Sequence, residues 1–95
     1  MIEYQITYWR DIPSMIVFKH DSENIKSMLP NRFQEAIDEA AMRLGAVDSD
    51  AYLAGWAKSE WFKVEGEITQ VSEQIVKDIE LQYSDAKITE LLENI

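Results

Sequence analysis

The spacing of apolar residues changes at Pro30, and this change constrains the fold of the chain more than any other feature. Residues 2–8 alternate between apolar and polar side chains, which is the pattern of a strand with one buried face. The apolar positions of this strand are Ile2, Tyr4, Ile6 and Tyr8. After Pro30 the apolar residues recur at helical spacing. The chain therefore combines an N-terminal sheet with C-terminal helices.

Two further strands are predicted before Pro30. Residues 15–18 are apolar on both faces and suit a central strand, and residues 21–24 have turn composition. Residues 25–29 form a shorter third strand, in which Lys26 and Ser27 protect an exposed edge. The prediction is an antiparallel meander with the second strand in the middle.

The predicted helices follow from spacing and capping residues. A first helix begins at Asn31, which with Gln34 resembles a capping box, and ends at Gly45. Its apolar stripe is Phe33, Ile37, Ala40, Ala41 and Leu44. A second helix starts from Asp48 or Ser49 and carries Leu53, Trp56 and Ala57 on one face, although Gly55 within it costs about 1 kcal/mol.

The remainder of the chain is a short extended segment and two more helices. Residues 61–66 are ambiguous between an extended segment and an edge strand. Residues 68–83 have the apolar spacing of an amphipathic helix, and Ser84 caps a short last helix. We therefore predict a single α+β domain over residues 1–95, with a three-stranded antiparallel meander followed by about four helices packed on one sheet face.

Composition restricts the classes of function. The chain has no cysteine, which excludes disulfides, thiolate chemistry and sulfur-based metal sites. The net charge of −9 disfavours nucleic-acid binding and favours a basic protein partner. The chain has no run of about 18 apolar residues, so no membrane span is predicted, and the N-terminus lacks the pattern of a signal peptide. A cytoplasmic location is the expectation.

No catalytic, metal-binding or cofactor-binding motif is recognised in the sequence. The single histidine, His20, stands beside Asp21, but adjacent strand residues point to opposite faces, and no nucleophile lies nearby. Glu35, Asp38 and Glu39 could present two carboxylates from one helix, a spacing that is common on solvated faces. We predict no catalytic residue, no metal ligand and no cofactor.

The segment Tyr8–Pro13 combines two aromatic residues, an opposite-charge pair and a proline at a strand connection. Glycine, asparagine and serine would make such a turn more easily, so these residues are candidates for function. Strand alternation places Trp9 on the polar face. There it is either partly exposed, as in an interface with Arg10, or buried under the C-terminal helices.

Arg32 is the third candidate, because it lies in the first turn of a predicted helix, where a cation is unfavourable. It therefore needs an anionic partner unless it is simply exposed. Asp11 could be this partner, and the pair would then tie the first hairpin to the helix. Alternatively, a ligand anion could bind Arg32 together with the free helix amides. Asp11, Arg32 and Gln34 are thus either a structural tie or an anion site.

Three segments resemble a small bacterial domain family labelled virulence factor, which also forms the tail of larger conserved virulence factor C proteins. They are residues 4–13 (YQITYWRDIP), 29–45 (LPNRFQEAIDEAAMRLG) and 49–56 (SDAYLAGW), and the resemblance covers most of residues 1–83. The family label records an association with virulence and no biochemical activity. In the larger proteins the domain accompanies helical repeats and an iron–sulfur-scaffold-like module, which implies an accessory or interaction role.

Two functional hypotheses follow. The first is a non-enzymatic module that binds a protein partner, or a second copy of itself, through Trp9 and Arg10 and the start of the Arg32 helix. The second is a binder of small anions, or an enzyme, with a pocket in which Arg10 and Arg32 hold the ligand. A partly exposed Trp9 with Arg32 bonded to Asp11 favours the first hypothesis, and a concave site with both guanidinium groups free of internal carboxylates favours the second.

Overall fold

A computed structural model describes residues 1–45 and 49–94. These ranges contain five strands and four helices. They are β1 (Ile2–Trp9), β2 (Ile12–His20), β3 (Glu23–Met28), α1 (Asn31–Arg43), α2 (Ser49–Ala54), β4 (Trp56–Lys58), β5 (Phe62–Val64), α3 (Ile68–Gln82) and α4 (Asp85–Glu93). The predicted α+β class, with the three-stranded meander preceding the helices, is confirmed. In the described ranges no helix is both long enough and apolar enough to span a bilayer.

The sheet is antiparallel and has the order β3-β2-β1-β4. β5 also pairs with β1, so β4 and β5 share the edge of β1 that β2 leaves free. Ser59 joins the two short strands, because its backbone N–H donates to the Ile6 carbonyl at 2.9 Å. Its Oγ accepts from the Ile6 N–H at 2.9 Å. The edge of β1 is therefore hydrogen-bonded across the gap between β4 and β5.

A β-bulge interrupts the pairing of β1 with β2. Thr7 lies opposite Met15, whereas Tyr8 lies opposite Pro13, so Ser14 is the additional residue. Proline has no backbone N–H to donate to a ladder and is tolerated at bulges. Pro13 therefore accounts for the irregularity at this position.

The core lies between one face of the sheet and the helices α1, α3 and α4. Cross-strand pairs on this face include Tyr4 with Phe18 and Ile6 with Ile16. The buried residues contributed by the helices are Phe33, Ala36, Ile37, Ala40, Ala41, Ile79 and Ile88. The apolar stripes predicted from the sequence thus supply most of the helical side of the core.

One predicted boundary and one predicted helix cap are wrong. The second helix ends at Ala54, and Trp56–Lys58 form β4 instead of continuing it. Helix α1 has no side-chain cap, because Pro30 occupies the N-cap position; Asn31 bonds Glu35 instead. By contrast, Ser84 accepts the N–H of Lys87 and caps α4 as predicted. The alternative start of the second helix at Asp48 lies outside the described residues.

Candidate functional site

Trp9 is a core residue. Its side chain is 0% exposed, and its indole N–H donates to the Tyr52 carbonyl at 2.8 Å. The two aromatic rings are stacked with centroids 5.7 Å apart. Of the two alternatives for Trp9, the structure has the buried one, and the covering element is α2. A fully buried side chain offers no surface to a partner, so Trp9 is removed from the candidate interface.

Arg10 is exposed and is held in a defined turn. Its backbone has a φ of +54°, which is uncommon for a residue with a side chain, and its N–H donates to the Gly55 carbonyl at 2.8 Å. The guanidinium carbon lies 5.6 Å from the Trp9 ring centroid. Within residues 1–45 and 49–94 no carboxylate or carbonyl pairs with this side chain. Arg10 is therefore a cation that the fold positions and leaves available.

Arg32 forms an internal tie, with partners that the sequence did not indicate. Its guanidinium donates to the carbonyls of Tyr83 at 2.7 Å and Glu80 at 2.9 Å, and lies 3.5 Å from the Asp85 carboxylate. Both carbonyls belong to the C-terminal end of α3, where the helix dipole favours a cation. The expected Asp11 tie is thus replaced by a tie to the α3–α4 junction.

The remaining predicted site residues do not converge on Arg32. Gln34 donates to Asp38 along the surface of α1 at 3.0 Å. Asp11 is exposed at the end of the hairpin, beside Arg10. His20 lies 3.9 Å from Asp21, whose side chain is 83% exposed. An Arg10/Arg32 pocket is not formed, because Arg32 is occupied by helix carbonyls.

Arg10 and Asp11 instead line a cleft between the β1–β2 hairpin and α4. It consists of two adjoining grooves of about 440 and 480 Å³ that share Arg10, Asp11 and Leu91. We call these two grooves the hairpin cleft. Lys87 lines the smaller groove, so two cations and one carboxylate border the cleft.

The smaller groove of the cleft also contains two tyrosines. Burial raises the pKa of Tyr8, and a hydrogen bond with Tyr83 partly offsets the rise. Burial also raises the pKa of Tyr83, and the charges of Tyr8 and Asp11 raise it further. Both phenols therefore keep their protons at neutral pH and act as hydrogen-bonding groups in the cleft.

A second surface is the sheet face opposite the core, which we call the open face. Met15 pairs with Met28 on this face, Val17 with Lys26 and Lys19 with Asn24. Thr7, Lys58, Glu3 and Lys63 extend it across the other strands. Met28 is 65% exposed, and Trp61 lies over Lys19, whose ammonium is 4.5 Å from the ring centroid. This face therefore combines solvent-exposed apolar groups with lysines.

An apolar groove of about 770 Å³ crosses the open face between Met28 and Trp56. Its other lining residues are Thr7, Ser14, Met15, Gln34, Ala57 and Lys58. Thr7 is 8% exposed, and its hydroxyl has no hydrogen-bond partner in the described parts of the chain. An unpaired buried hydroxyl is unfavourable by about 1–3 kcal/mol, so the packing around Thr7 must offset this cost.

The sequence contained a signal for the open face that we did not use. Four of the six lysines of the chain lie on strands: Lys19, Lys26, Lys58 and Lys63. Lys58 directly follows the residues predicted for the second helix, and the segment around Lys63 is ambiguous in the sequence. The cluster becomes visible only when β4 and β5 are placed beside β1.

Comparison with known families gives one match. A family model described as Virulence factor matches residues 7–92. This range includes every lining residue of the hairpin cleft except Asn94, and most of the open face. No curated protein and no solved structure is detectably similar to the chain.

Proposed function

This chain belongs to the virulence factor family, and we propose that it is a non-enzymatic accessory module that binds an acidic partner protein through its open face. The observation that carries the proposal is the exposed combination of methionine, tryptophan and lysine around the groove on that face. The family description associates the domain with virulence and leaves the biochemical role to be defined.

The distribution of charge supports an acidic partner. The five strands carry four lysines and two glutamates, whereas the four helices carry four basic and ten acidic residues. The acidic side chains that give the chain its net charge are thus concentrated on the helices. The open face is locally basic despite the net charge of −9. Complementary charge across an interface accelerates association and selects among partners.

The apolar groups of the open face supply contact area. Methionine side chains adapt to irregular surfaces, and aromatic side chains with neighbouring cations are enriched in the energetic centres of interfaces. Met15, Met28 and Trp56 line the groove, and Lys58 borders it. A partner segment with apolar residues between carboxylates would match both properties.

This proposal relocates the interface predicted from the sequence. The hairpin residues Trp9 and Arg10 were expected to form it together, but Trp9 is buried under α2. The cysteine-free sequence is compatible with a reducing compartment, and the proposal accordingly places the module in the cytoplasm.

Selection of peptides tests the proposal. A random library of short peptides displayed on phage is selected on the wild-type protein, and the selected peptides are measured against two variants. Met28→Asp/Lys58→Glu alters the groove. The control variant, Leu81→Asp/Lys87→Glu, makes matched changes on the exposed surfaces of α3 and α4, where Leu81 is 79% exposed.

We expect the selected peptides to be acidic with interspersed apolar residues. They should bind the wild type and the control variant alike and lose at least tenfold in affinity for the groove variant. Circular dichroism confirms that both variants are folded. Enrichment of peptides without acidic residues, or equal binding to both variants, would contradict the proposal.

A further inference from the structure

We infer that the hairpin cleft binds a monocarboxylate with an apolar tail, the carboxylate lying between Arg10 and Lys87 and the tail entering the larger groove. This site is separate from the open face and does not depend on the proposed function. The inference rests on which cations the fold leaves unpaired, how Arg10 is held, and how polar and apolar walls are arranged in the cleft.

The three arginines of the chain have different roles. Arg32 binds two carbonyls at the end of α3. Arg43 binds Glu39 at 2.9 Å and the Leu92 carbonyl of α4 at 3.0 Å. Arg10 has neither kind of partner in the described chain, although the sequence contains 18 acidic residues. A guanidinium that lines two grooves without an internal partner is available to an external anion.

Arg10 is also partly preorganised. The hydrogen bond from its N–H to Gly55 fixes the turn, and the Trp9 ring lies within cation–π distance of its guanidinium. Trp9 itself is immobilised by stacking on Tyr52. A cation held in this way loses less conformational freedom when it binds a ligand than a freely rotating lysine does. The positive φ at Arg10 is unfavourable for a residue with a side chain, and the surrounding contacts must offset it.

The walls of the cleft differ between its two grooves. The smaller groove is lined mainly by polar side chains, among them Arg10, Lys87, Gln82 and the phenols of Tyr8 and Tyr83. The larger groove also has polar lining, from Arg10, Asp11 and Asn94, and its apolar side comes chiefly from Leu44 and Leu91, because Ile12 and Ala40 are almost fully buried. A ligand with a charged end and a hydrocarbon end matches this division, with its charged end at the smaller groove.

Asp11 lowers the affinity of the cleft for a dianion more than for a monocarboxylate. Its carboxylate lines both grooves beside Arg10, so the cleft carries two positive charges and one negative charge. A single carboxylate neutralises the net charge of this arrangement. A dianionic phosphate of the same tail length is attracted more strongly by the two cations, but it meets twice the repulsion from Asp11, leaves a net negative charge in the cleft and requires desolvation of a second charge.

Titration by heteronuclear NMR tests the inference. Octanoate is the probe, octylamine is the control with inverted charge, and octyl phosphate is the dianion. Backbone resonances of Arg10 and Leu91 report the cleft. The variants are Arg10→Gln/Lys87→Gln, the control Lys63→Gln on β5, and Asp11→Asn.

We expect octanoate to shift the cleft resonances and octylamine to leave them in place. Loss of a charge-assisted hydrogen bond weakens binding by about tenfold or more, so Arg10→Gln/Lys87→Gln should raise the Kd for octanoate at least tenfold. Lys63→Gln should leave it unchanged. Asp11→Asn should strengthen binding of octyl phosphate more than that of octanoate.

Carboxylates occur in small molecules and at peptide C-termini, and a second pair of probes distinguishes these sources. Acetyl-Leu-Leu with a free carboxylate is compared with its C-terminal amide. Stronger binding of the free dipeptide acid than of octanoate assigns the site to a peptide C-terminus, and the reverse assigns it to a small molecule.

Three results would overturn the inference. They are equal shifts with octanoate and octylamine, an unchanged Kd in Arg10→Gln/Lys87→Gln, and the absence of any shift up to the solubility limit of octanoate. Preserved dispersion of the spectra shows that each variant is folded. An unchanged preference for octanoate over octyl phosphate in Asp11→Asn would refute the role of Asp11.

Discussion

The contact between Gly55 and Trp9 makes a quantitative prediction about the packing that holds the hairpin. A Cβ atom added at Gly55 would lie 2.5 Å from both Cε2 and Nε1 of Trp9 and 2.9 Å from Cζ2. Non-bonded carbon atoms normally approach to about 3.5–4.0 Å. Gly55→Ala therefore forces the indole or the α2–β4 connection to move by about 1 Å.

The expected destabilisation can be worked out from this displacement. Overpacking of a well-packed core costs about 1–3 kcal/mol. Displacement of the indole also weakens its 2.8 Å hydrogen bond to Tyr52, worth about 1 kcal/mol. The φ of Gly55 lies outside the left-handed region, so alanine recovers about 0.4–1 kcal/mol by restricting the unfolded chain. The net loss for Gly55→Ala is about 2–3 kcal/mol.

A double-mutant cycle with Trp9→Phe isolates the steric contribution. Phenylalanine lacks Nε1 and the outer ring that carries Cζ2, so its smaller ring has room to move away from the added Cβ atom. Trp9→Phe alone costs about 2–3 kcal/mol for the lost hydrogen bond and the resulting cavity. The cost is not larger because the Tyr52 carbonyl still accepts from the Gly55 N–H at 3.1 Å and so stays paired. In that background Gly55→Ala should be neutral or stabilise the protein by up to about 1 kcal/mol.

Urea denaturation monitored by far-ultraviolet circular dichroism measures all four corners of the cycle. The coupling energy between the two positions should be about 2 kcal/mol or more, with unchanged denaturant slopes. Additive effects, or a Gly55→Ala protein within about 0.5 kcal/mol of the wild type, would refute the packing described for Trp9.

Three further predictions concern other contacts. Thr7→Val keeps the shape of the side chain but removes its buried hydroxyl, which has no hydrogen-bond partner in the described residues. The free energy of unfolding should rise by about 1 kcal/mol, and equal or lower stability in urea denaturation would argue against this prediction. Arg32→Ala removes the bonds to Glu80 and Tyr83 and should lower stability by about 2–3 kcal/mol, more than the loss caused by Arg32→Lys, as thermal unfolding of both variants would show. The pKa values of Tyr8 and Tyr83 are raised above 10.0 in the folded protein. The stability that their neutral forms provide is therefore complete below about pH 10 and is lost as the pH rises through the folded pKa. Unfolding measured between neutral and alkaline pH should show this loss, and a pH profile that Tyr8→Phe leaves unchanged would contradict it.

Much of the fold was predictable because it depends on local periodicity. The alternation in β1, the apolar run in β2 and the stripe of α1 each occupy one contiguous segment, and each is observed at nearly the expected boundaries. Ser84 caps α4 as its sequence position indicates, because capping is a contact between residues three apart.

The second helix was predicted three residues too long for a nonlocal reason. Local spacing allowed Trp56 and Ala57 to continue it, but Gly55 lies against the Trp9 ring and its carbonyl accepts the Arg10 N–H. The free edge of β1 then pairs with Trp56–Lys58. A strand of three residues has almost no intrinsic signal, and its partner determines that it forms.

The partners of the charged residues were the least predictable feature. Local electrostatics correctly indicated that Arg32 needs a partner at the start of a helix, but its partners are main-chain carbonyls 48 and 51 residues away. Carbonyls are common to all residue types, so sequence cannot distinguish the ones that bind. The same limitation concealed the hairpin cleft, which joins Arg10 to Lys87 across most of the chain.

The sequence by itself determined the three N-terminal strands, the helices that follow them, their apolar faces and the absence of thiol chemistry, because these depend on residue type and short-range spacing. Only the tertiary structure decided that Trp9 is buried, that Arg32 is paired, and that four lysines share the open face. These outcomes depend on which distant segments meet, and packing of the whole domain selects those contacts.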